Sequence, residues 1–301
     1  MSKVIAVIVT HNRLALLEEA IGAIKLQSVA PTHIVVVNND SSDGTTDWLD
    51  KQKGLVVKHQ ENLGGSGGFY TGIQMAVNLD ADWIWVMDDD TICKVDTLEK
   101  LMNKLPLENE SVGFIGSKCI WKDNSPHLMN IPAIKPSFNQ TIPFNKYDEK
   151  GLLLIETCSF VSLLVNAQVV RSIGLPYKNF FIWGDDQEYT RRITKAGYLG
   201  LYSLDSIALH KTGINYFPDF YNDSVQNLWK HKYGFRNEFF MVKKNRGIIY
   251  FLGWLPAKVL YTSFKIIKIR KANRLKFINV LIGTAWRSIF FNPQIDKIQA
   301  F

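Results

Sequence analysis

Six consecutive apolar residues, Val4-Ile5-Ala6-Val7-Ile8-Val9, recur in shorter form as Ile34-Val35-Val36-Val37. Strands with one wet face alternate in polarity, whereas short continuous β-branched runs fit strands buried on both faces of a mostly parallel sheet. Between the two runs Leu14, Leu17, Ile21 and Ile24 keep helical spacing, which predicts an amphipathic helix from Leu14 to Gln27. Strand, helix and strand in that order form a βαβ unit and restrict the chain to α/β architectures. The alternation continues with a third strand at Leu55-Val56-Val57, a glycine-rich loop at 62–68, a helix near 69–79 and a strand from Trp83 to Met87. Ligands of such sheets sit outside the carboxyl ends of the strands, so chemistry is expected in the loops after Val9, Val37 and Met87.

Farther along, the pattern weakens. Residues 106–150 are richer in Pro, Asn and Ser, and predict irregular excursions with a short hairpin over a cleft. Ile155 to Val165 reads as another buried strand, and Gln168 to Ser172 as a short helix closed by Gly174. The block from Trp183 to Arg192 runs into a helix with a stop at Gly197. After residue 247, apolar stretches are interleaved with Lys258, Lys265, Lys268, Arg270, Lys271, Arg274 and Lys276. No uninterrupted stretch approaches the roughly 20 apolar residues of a membrane span, and Pro256 is expected to break the best candidate.

Charge is divided unevenly along the chain. Of the net +7, the part from Arg236 onward holds +11 (13 Lys/Arg against 2 Asp/Glu), so the preceding body is −4. A nucleic-acid binder would carry its basic residues on the body, so nucleic acid is not expected as a partner. A basic tail with Trp254, Tyr261, Phe264, Trp286, Phe290 and Phe291 suits an anionic membrane surface; the competing reading is a helical cap packed on the body. Cys93, Cys119 and Cys158 are odd in number and widely spaced, which excludes a disulfide framework or a thiolate metal site. The first residues lack the pattern of a signal peptide. Together these features predict a cytoplasmic protein, peripheral on the inner face of the cell membrane.

The strongest chemical signal is Asp88-Asp89-Asp90 directly after Trp83 to Met87. At a strand end Asp88 and Asp90 would point the same way, a spacing suited to a divalent cation on a diphosphate. An isolated acidic triplet is more often a solvated turn, so the reading depends on its company. Thr10-His11-Asn12-Arg13 and Asn38 to Thr45 lie on the same expected edge. There Arg13 could meet a phosphate, and Asn39 or Asp40 a nucleobase or ribose. Asn62-Leu63-Gly64-Gly65-Ser66-Gly67-Gly68-Phe69 would let backbone approach a ligand before a helix, though it lacks the Gly-Lys-Ser/Thr of a nucleoside-triphosphate loop. In Trp183-Gly184-Asp185-Asp186-Gln187-Glu188, a carboxylate could serve as general base or merely cap a helix. His210 ends the strand-like Ser206 to Leu209 and could complete a cation's ligand set.

That ordered set, from Val4 to His210, resembles the inverting GT-A glycosyltransferases of family 2. The stretch Asn62 to Phe69 and the Trp-x-Asp-Asp-x-Glu-Tyr arrangement are most similar to galactofuranosyltransferases. Tyr233-Gly234-Phe235-Arg236-Asn237 resembles an element those enzymes share with rhamnosyltransferases of surface polysaccharides. The resemblance implies a GT-A α/β domain over 1–235 and a basic helical tail over 236–301. It further implies Mn²⁺ or Mg²⁺ held by Asp88, Asp90 and His210, with Asp186 as catalytic base. Thr10, Asn12, Arg13, Asn39, Asp40, the Gly64-Gly65-Ser66-Gly67 stretch, Asp88 and Asp89 would form the donor site, with Asp89 toward the donor sugar. Trp183, Asp185 and Glu188 would shape the sugar and acceptor subsites. The loop after the second strand departs from the family pattern, which often places an aspartate earlier, so Asn38, Asn39 and Asp40 all remain candidates for the nucleotide contact. The implied donor is UDP-galactofuranose, with dTDP-rhamnose as runner-up, and the implied acceptor is a polyprenyl-diphosphate-linked glycan. A homo-oligomer is compatible with the sequence. Of the rival classes, a nucleotidyltransferase would need a longer basic loop than residues 10–13, and a non-catalytic membrane scaffold would leave both acidic clusters without a task.

Overall fold

The computed structural model describes residues 2–105, 111–138 and 141–298. The N-terminal half runs β1 (Val4–Thr10), α1 (Leu14–Lys25), β2 (His33–Asn39), α2 (Thr45–Leu49), β3 (Leu55–Gln60), α3 (Gly64–Asn78) and β4 (Trp83–Asp88). Next come β5 (Thr91–Cys93), α4 (Thr97–Met102), β6 (Val112–Ile120) and the two-residue strands β7 (Ala133–Ile134), β8 (Ser137–Phe138) and β9 (Ile142–Pro143). The body closes with β10 (Leu152–Thr157), β11 (Leu163–Asn166), α5 (Ala167–Ile173), α6 (Asp185–Lys195) and β12 (Leu199–His210). Three helices follow: α7 (Leu228–Arg246), α8 (Ile248–Ile269) and α9 (Arg274–Phe290).

The main sheet has the order β3-β2-β1-β4-β11-β6-β12-β10-β7, with β5 paired to β12. Its β3-β2-β1-β4 half is wholly parallel, as the continuous apolar runs require. Beyond β4 the pairing is mixed, with β11 antiparallel to both neighbours and β12 parallel to β6, so "mostly parallel" holds for the first half alone. Side-chain alternation along β1 divides its run between two cores. Val4, Ala6 and Ile8 meet Leu17, Ile21 and Ile24 of α1, while Ile5, Val7 and Val9 meet Phe69, Ile73 and Ala76 of α3.

Several expectations need correction. The glycine-rich stretch is not a loop, because α3 already begins at Gly64. Its glycines let the helix lie against β1: a Cβ on Gly68 would meet Val9 at 2.3 Å, and one on Gly72 would meet Val7 at 2.3 Å. Ile155 to Val165 divides into β10 and β11 around a turn in which Ser162 takes a φ of 54°. Within 106–150, whose residues 106–110 and 139–140 lie outside the described residues, the expected short hairpin is present as β8–β9. The same span also contributes β6, a buried central strand that periodicity missed. Its Gly113 and Gly116 are forced small by Ile193 and Cys158, which removes the β-branched signature.

The tail is a helical unit with its own core of Phe220, Leu228, Phe239, Phe251, Phe277 and Leu281. A boundary at 235/236 would cut α7 in mid-helix. Pro256 does not break α8; Leu252, whose carbonyl loses its partner, lies on the helix's exposed side. The segment after α9 returns to the body, where Asp296 accepts from Tyr70 (2.8 Å) and pairs with Lys178 (2.8 Å). Among the described residues no helix is long and apolar enough to cross a membrane.

Candidate active site

Register brings the first acidic centre together. Val9 of β1 pairs with Asp88, and Thr10 with Asn38 of β2, so the ends of β1, β2 and β4 share one edge. The chain then turns through Asp89 and Asp90 into β5, whose Thr91 pairs with His210 at the end of β12. Residues 120 positions apart are thereby made neighbours: ligand atoms of Asp88, Asp90 and His210 all lie within 4.8 Å of one another.

The donor set suits a hard divalent cation. His210 Nδ1 lies 2.7 Å from Asn130 Oδ1, and the Asn130 amide nitrogen is committed to Ser159 (2.8 Å). Nδ1 therefore carries a proton donated to Asn130, and Nε2 faces Asp90 Oδ1 at 3.0 Å. That buried carboxylate oxygen has no well-formed hydrogen bond. Burial, then Asp90 and Asp89, push Asp88 well above the usual carboxylate range, which a cation would reverse. Burial also opposes ionisation of Asp90, but His210 and Arg13 outweigh it and hold that group below its ordinary value.

Asp89 faces away from this cluster. It accepts from the Thr10 hydroxyl (2.8 Å), the His11 N–H (3.4 Å) and Arg13 (3.2 Å), so it ties the end of β1 to the turn rather than pointing at a donor sugar. Burial raises Asp89 to about 6 despite Arg13. Arg13 is shared with Asp90 (2.6 Å) and stays half-exposed at the cleft, within reach of an anion. Asn12 takes a φ of 54° and accepts from the Ser42 N–H (2.7 Å), stitching the loops after β1 and β2 together. Asn38 and Asn39 are buried and committed, Asn38 to Thr46 and Ser41, and Asn39 to the Gly64 carbonyl and Gln60. Asp40 is exposed and lines a cavity of 460 Å³ with Thr46, His59, Gln60 and Glu61, which makes it the free acceptor of the three.

The second acidic centre opens α6. Asp185 is buried beside Ser66 of α3, and burial raises it to about 6. Asp186 is partly open, and burial followed by Asp185 raises it to about 7 although it stands in a helix's first turn. The charge of Asp185 adds, behind nearer causes, to the forces that raise Asp88. Gly64, with a φ of 70°, sits under the Phe181 carbonyl: a Cβ there would lie 2.1 Å from that oxygen. Gly67 packs on Leu63, and only Gly65 has open space around it. Trp183 is turned against α7, with Gly234 beneath its ring and His231 at 5.0 Å. Glu188 does not reach the cleft. It is buried in ion pairs with Arg192 (2.8 Å) and Lys244 (3.1 Å), which fasten α6 to α7. Asn130 and His127, whose ring centre is 4.4 Å from that of His210, were not anticipated; both come from the irregular stretch and carry no local signal.

Residues 5–169 match the family profile for glycosyl transferase family 2. The chain belongs to that family. Beyond the matched stretch, this glycosyltransferase is 29% identical over 222 residues to galactofuranosyltransferase GlfT1 of Mycolicibacterium smegmatis, covering 71% of this chain and 72% of that protein. Against GlfT1 of Mycobacterium tuberculosis it is 27% identical over 256 residues, covering 82% and 81%. Among solved structures the fold is similar to GalNAc-T7 with UDP, GalNAc and Mn²⁺ (TM-score 0.60, 13% identity, 81% of this chain), of which it spans about half, 48%. It is similar also to the mannosyltransferase PcManGT from Pyrobaculum calidifontis in complex with GDP-Man and Mn²⁺ (TM-score 0.55, 15% identity, 96% and 87% coverage). The fold is GT-A, and the enzyme is a glycosyltransferase of the galactofuranosyltransferase-like kind.

Proposed function

We propose that the enzyme moves galactofuranose from UDP-galactofuranose to a hydroxyl of a polyprenyl-diphosphate-linked glycan, inverting the anomeric centre in one displacement. The observation that carries this reading is the pairing of the Asp88–Asp90–His210 donor set with Asp186, a carboxyl raised to about 7. A base with a pKa near the working pH removes a hydroxyl proton efficiently. Asp186 takes that proton at a carboxylate oxygen as the hydroxyl oxygen attacks the anomeric carbon and the bond to the nucleotide diphosphate breaks. Asp88, Asp90 and His210 would hold Mn²⁺ or Mg²⁺, which when bound neutralises charge on the departing diphosphate. Arg13 supplies a further positive charge at the same edge, and Asp40 accepts from the base or ribose in its cavity.

The galactofuranosyltransferase relatives favour that sugar over rhamnose. Exposed Ile249, Leu260, Phe264, Leu275 and Trp286 alongside exposed Lys268, Lys271, Arg274 and Lys276 support an anionic membrane surface as the tail's partner, and with it a peripheral site at the inner face of the membrane. Trp254 and Phe291, by contrast, are packed inward and are not anchors. As proposed units, the glycosyltransferase body ends near residue 219 and the helical unit starts near Phe220. The test is transfer to a synthetic polyprenyl-diphosphate disaccharide, followed by mass spectrometry, with UDP-galactofuranose and dTDP-rhamnose offered separately with Mn²⁺. A hexose added only from the uridine donor is expected; addition only from the thymidine donor overturns the choice of sugar.

A further inference from the structure

The segment Asn179–Gly184 delivers Asp185 and Asp186 to the cleft, and its backbone is one that bulky residues rarely adopt. Phe181 and Trp183 have φ of 67° and 63°, and Gly184 has 88°. Such conformations persist where the surroundings over-determine them. Besides α3, whose Ser66 N–H donates to the Phe181 carbonyl (3.2 Å), the surroundings are a single stretch of α7, more than fifty residues later. The fully buried Asn237 directs one amide nitrogen at the carbonyls of Phe180 (3.0 Å), Ile182 (3.2 Å) and Trp183 (2.8 Å). Arg236 donates to the carbonyls of Asn179 (2.6 Å) and Phe180 (3.1 Å). It also donates to Asn237 Oδ1 (3.2 and 3.1 Å), which fixes the amide with its N–H groups toward the segment. Phe181 stacks on Tyr233 with ring centres 4.7 Å apart, and a Cβ on Gly234 would lie 3.1 Å from the Trp183 ring.

We propose that Asn237, its amide oriented by Arg236, is the positioning residue for Asp186: it holds the backbone that aims the carboxylate and touches no substrate atom itself. This rests on the reading of Asp186 as general base. The hydrogen bonds run to main-chain carbonyls, so the clamp is indifferent to the side chains of the segment and sensitive to the donor character of residue 237. Asp at 237 would keep the shape and volume while presenting acceptors to three carbonyl oxygens. A packing role predicts that N237D behaves as wild type, and a clamp predicts that it fails like N237A.

The experiment compares N237D, N237A, Arg236→Ala and Arg236→Lys with the wild type for kcat, donor KM and Mn²⁺-dependent UDP affinity by calorimetry. Misplacement of a reacting group by a fraction of an ångström predicts kcat lower by roughly 10- to 100-fold in N237D and N237A, with UDP affinity changed by less than about twofold. Arg236→Lys should retain more turnover than Arg236→Ala. Wild-type kcat in N237D, or a loss of UDP affinity equal to the loss of turnover, overturns the clamp. Should the Asn237 variants not fold, Arg236→Ala decides by the same split between kcat and UDP affinity, since its side chain is only half-buried. Asp186→Asn run in parallel separates the two readings. Turnover surviving there overturns the base assignment, whereas full turnover in N237D beside an inactive Asp186→Asn overturns the clamp alone.

Discussion

Asp88–Asp90 and Asp185–Asp186, the two acidic centres of the proposed active site, are held by different means. The first centre is fixed by strand pairing: β4 lies between β1 and β11, and β5 locks onto β12 beside His210. The second stands on a helix start whose preceding loop has little regular backbone pairing and is bounded by α3 on one side and α7 on the other. Sheet register leaves a side chain little choice of direction, while a clamped loop is only as well aimed as its clamp. The centre suited to gripping a charged group is thus the rigid one. The centre suited to proton transfer opens α6 of the body and is held from outside by α7 of the tail.

The largest effect that could break this contrast is at Asp186. Asp186→Asn is expected to lower turnover by roughly 10²- to 10⁴-fold with UDP affinity retained; loss of both together would merge the two centres into one. As the proposed base, Asp186 acts ionised, so turnover should rise with pH through about 7 and level off above it. Stability runs the opposite way. Asp185 and Asp186 have folded-state values of about 6 and about 7, above their unfolded value of 3.8, so the metal-free fold loses stability as pH rises from about 4 through 7. Asp186→Asn should flatten that decline in a thermal melt.

A smaller effect sharpens the description of the rigid centre. Asn130→Ala frees His210 Nδ1 from its acceptor, and Mn²⁺ affinity should fall by roughly 10- to 100-fold, read by titration calorimetry. An unchanged affinity would mean that strand register alone orients the imidazole. The smallest effect concerns the tail. Lys268→Gln removes one exposed positive charge, worth about 1 kcal/mol or roughly fivefold in binding to vesicles containing phosphatidylserine, with no change on neutral vesicles. Equal loss on both would point to packing rather than charge.

What was legible in the sequence follows from periodicity and local chemistry. The parallel half of the sheet was visible because β1, β2 and β4 are buried on both faces and must be apolar throughout. β6 was not visible, because its neighbours demand glycines where a strand would otherwise show Val or Ile. The helical start of α3 was hidden for a related reason: glycine reads as loop, yet here it is the residue that allows a helix to touch a strand.

The sequence by itself determined the α/β class, the acidic triplet at a strand end, the second acidic block and the basic tail, since each is written in neighbouring residues. Tertiary structure alone decided which carboxylates face the proposed active site. It turned Asp89 back toward Thr10 and committed Glu188 to Arg192 and Lys244. It also brought Asn130 to His210 and Asn237 to the loop before Asp186. Those assignments depend on partners that lie from four to eighty positions away in the chain. A side chain's direction and protonation are set by what burial places beside it, which no local pattern records.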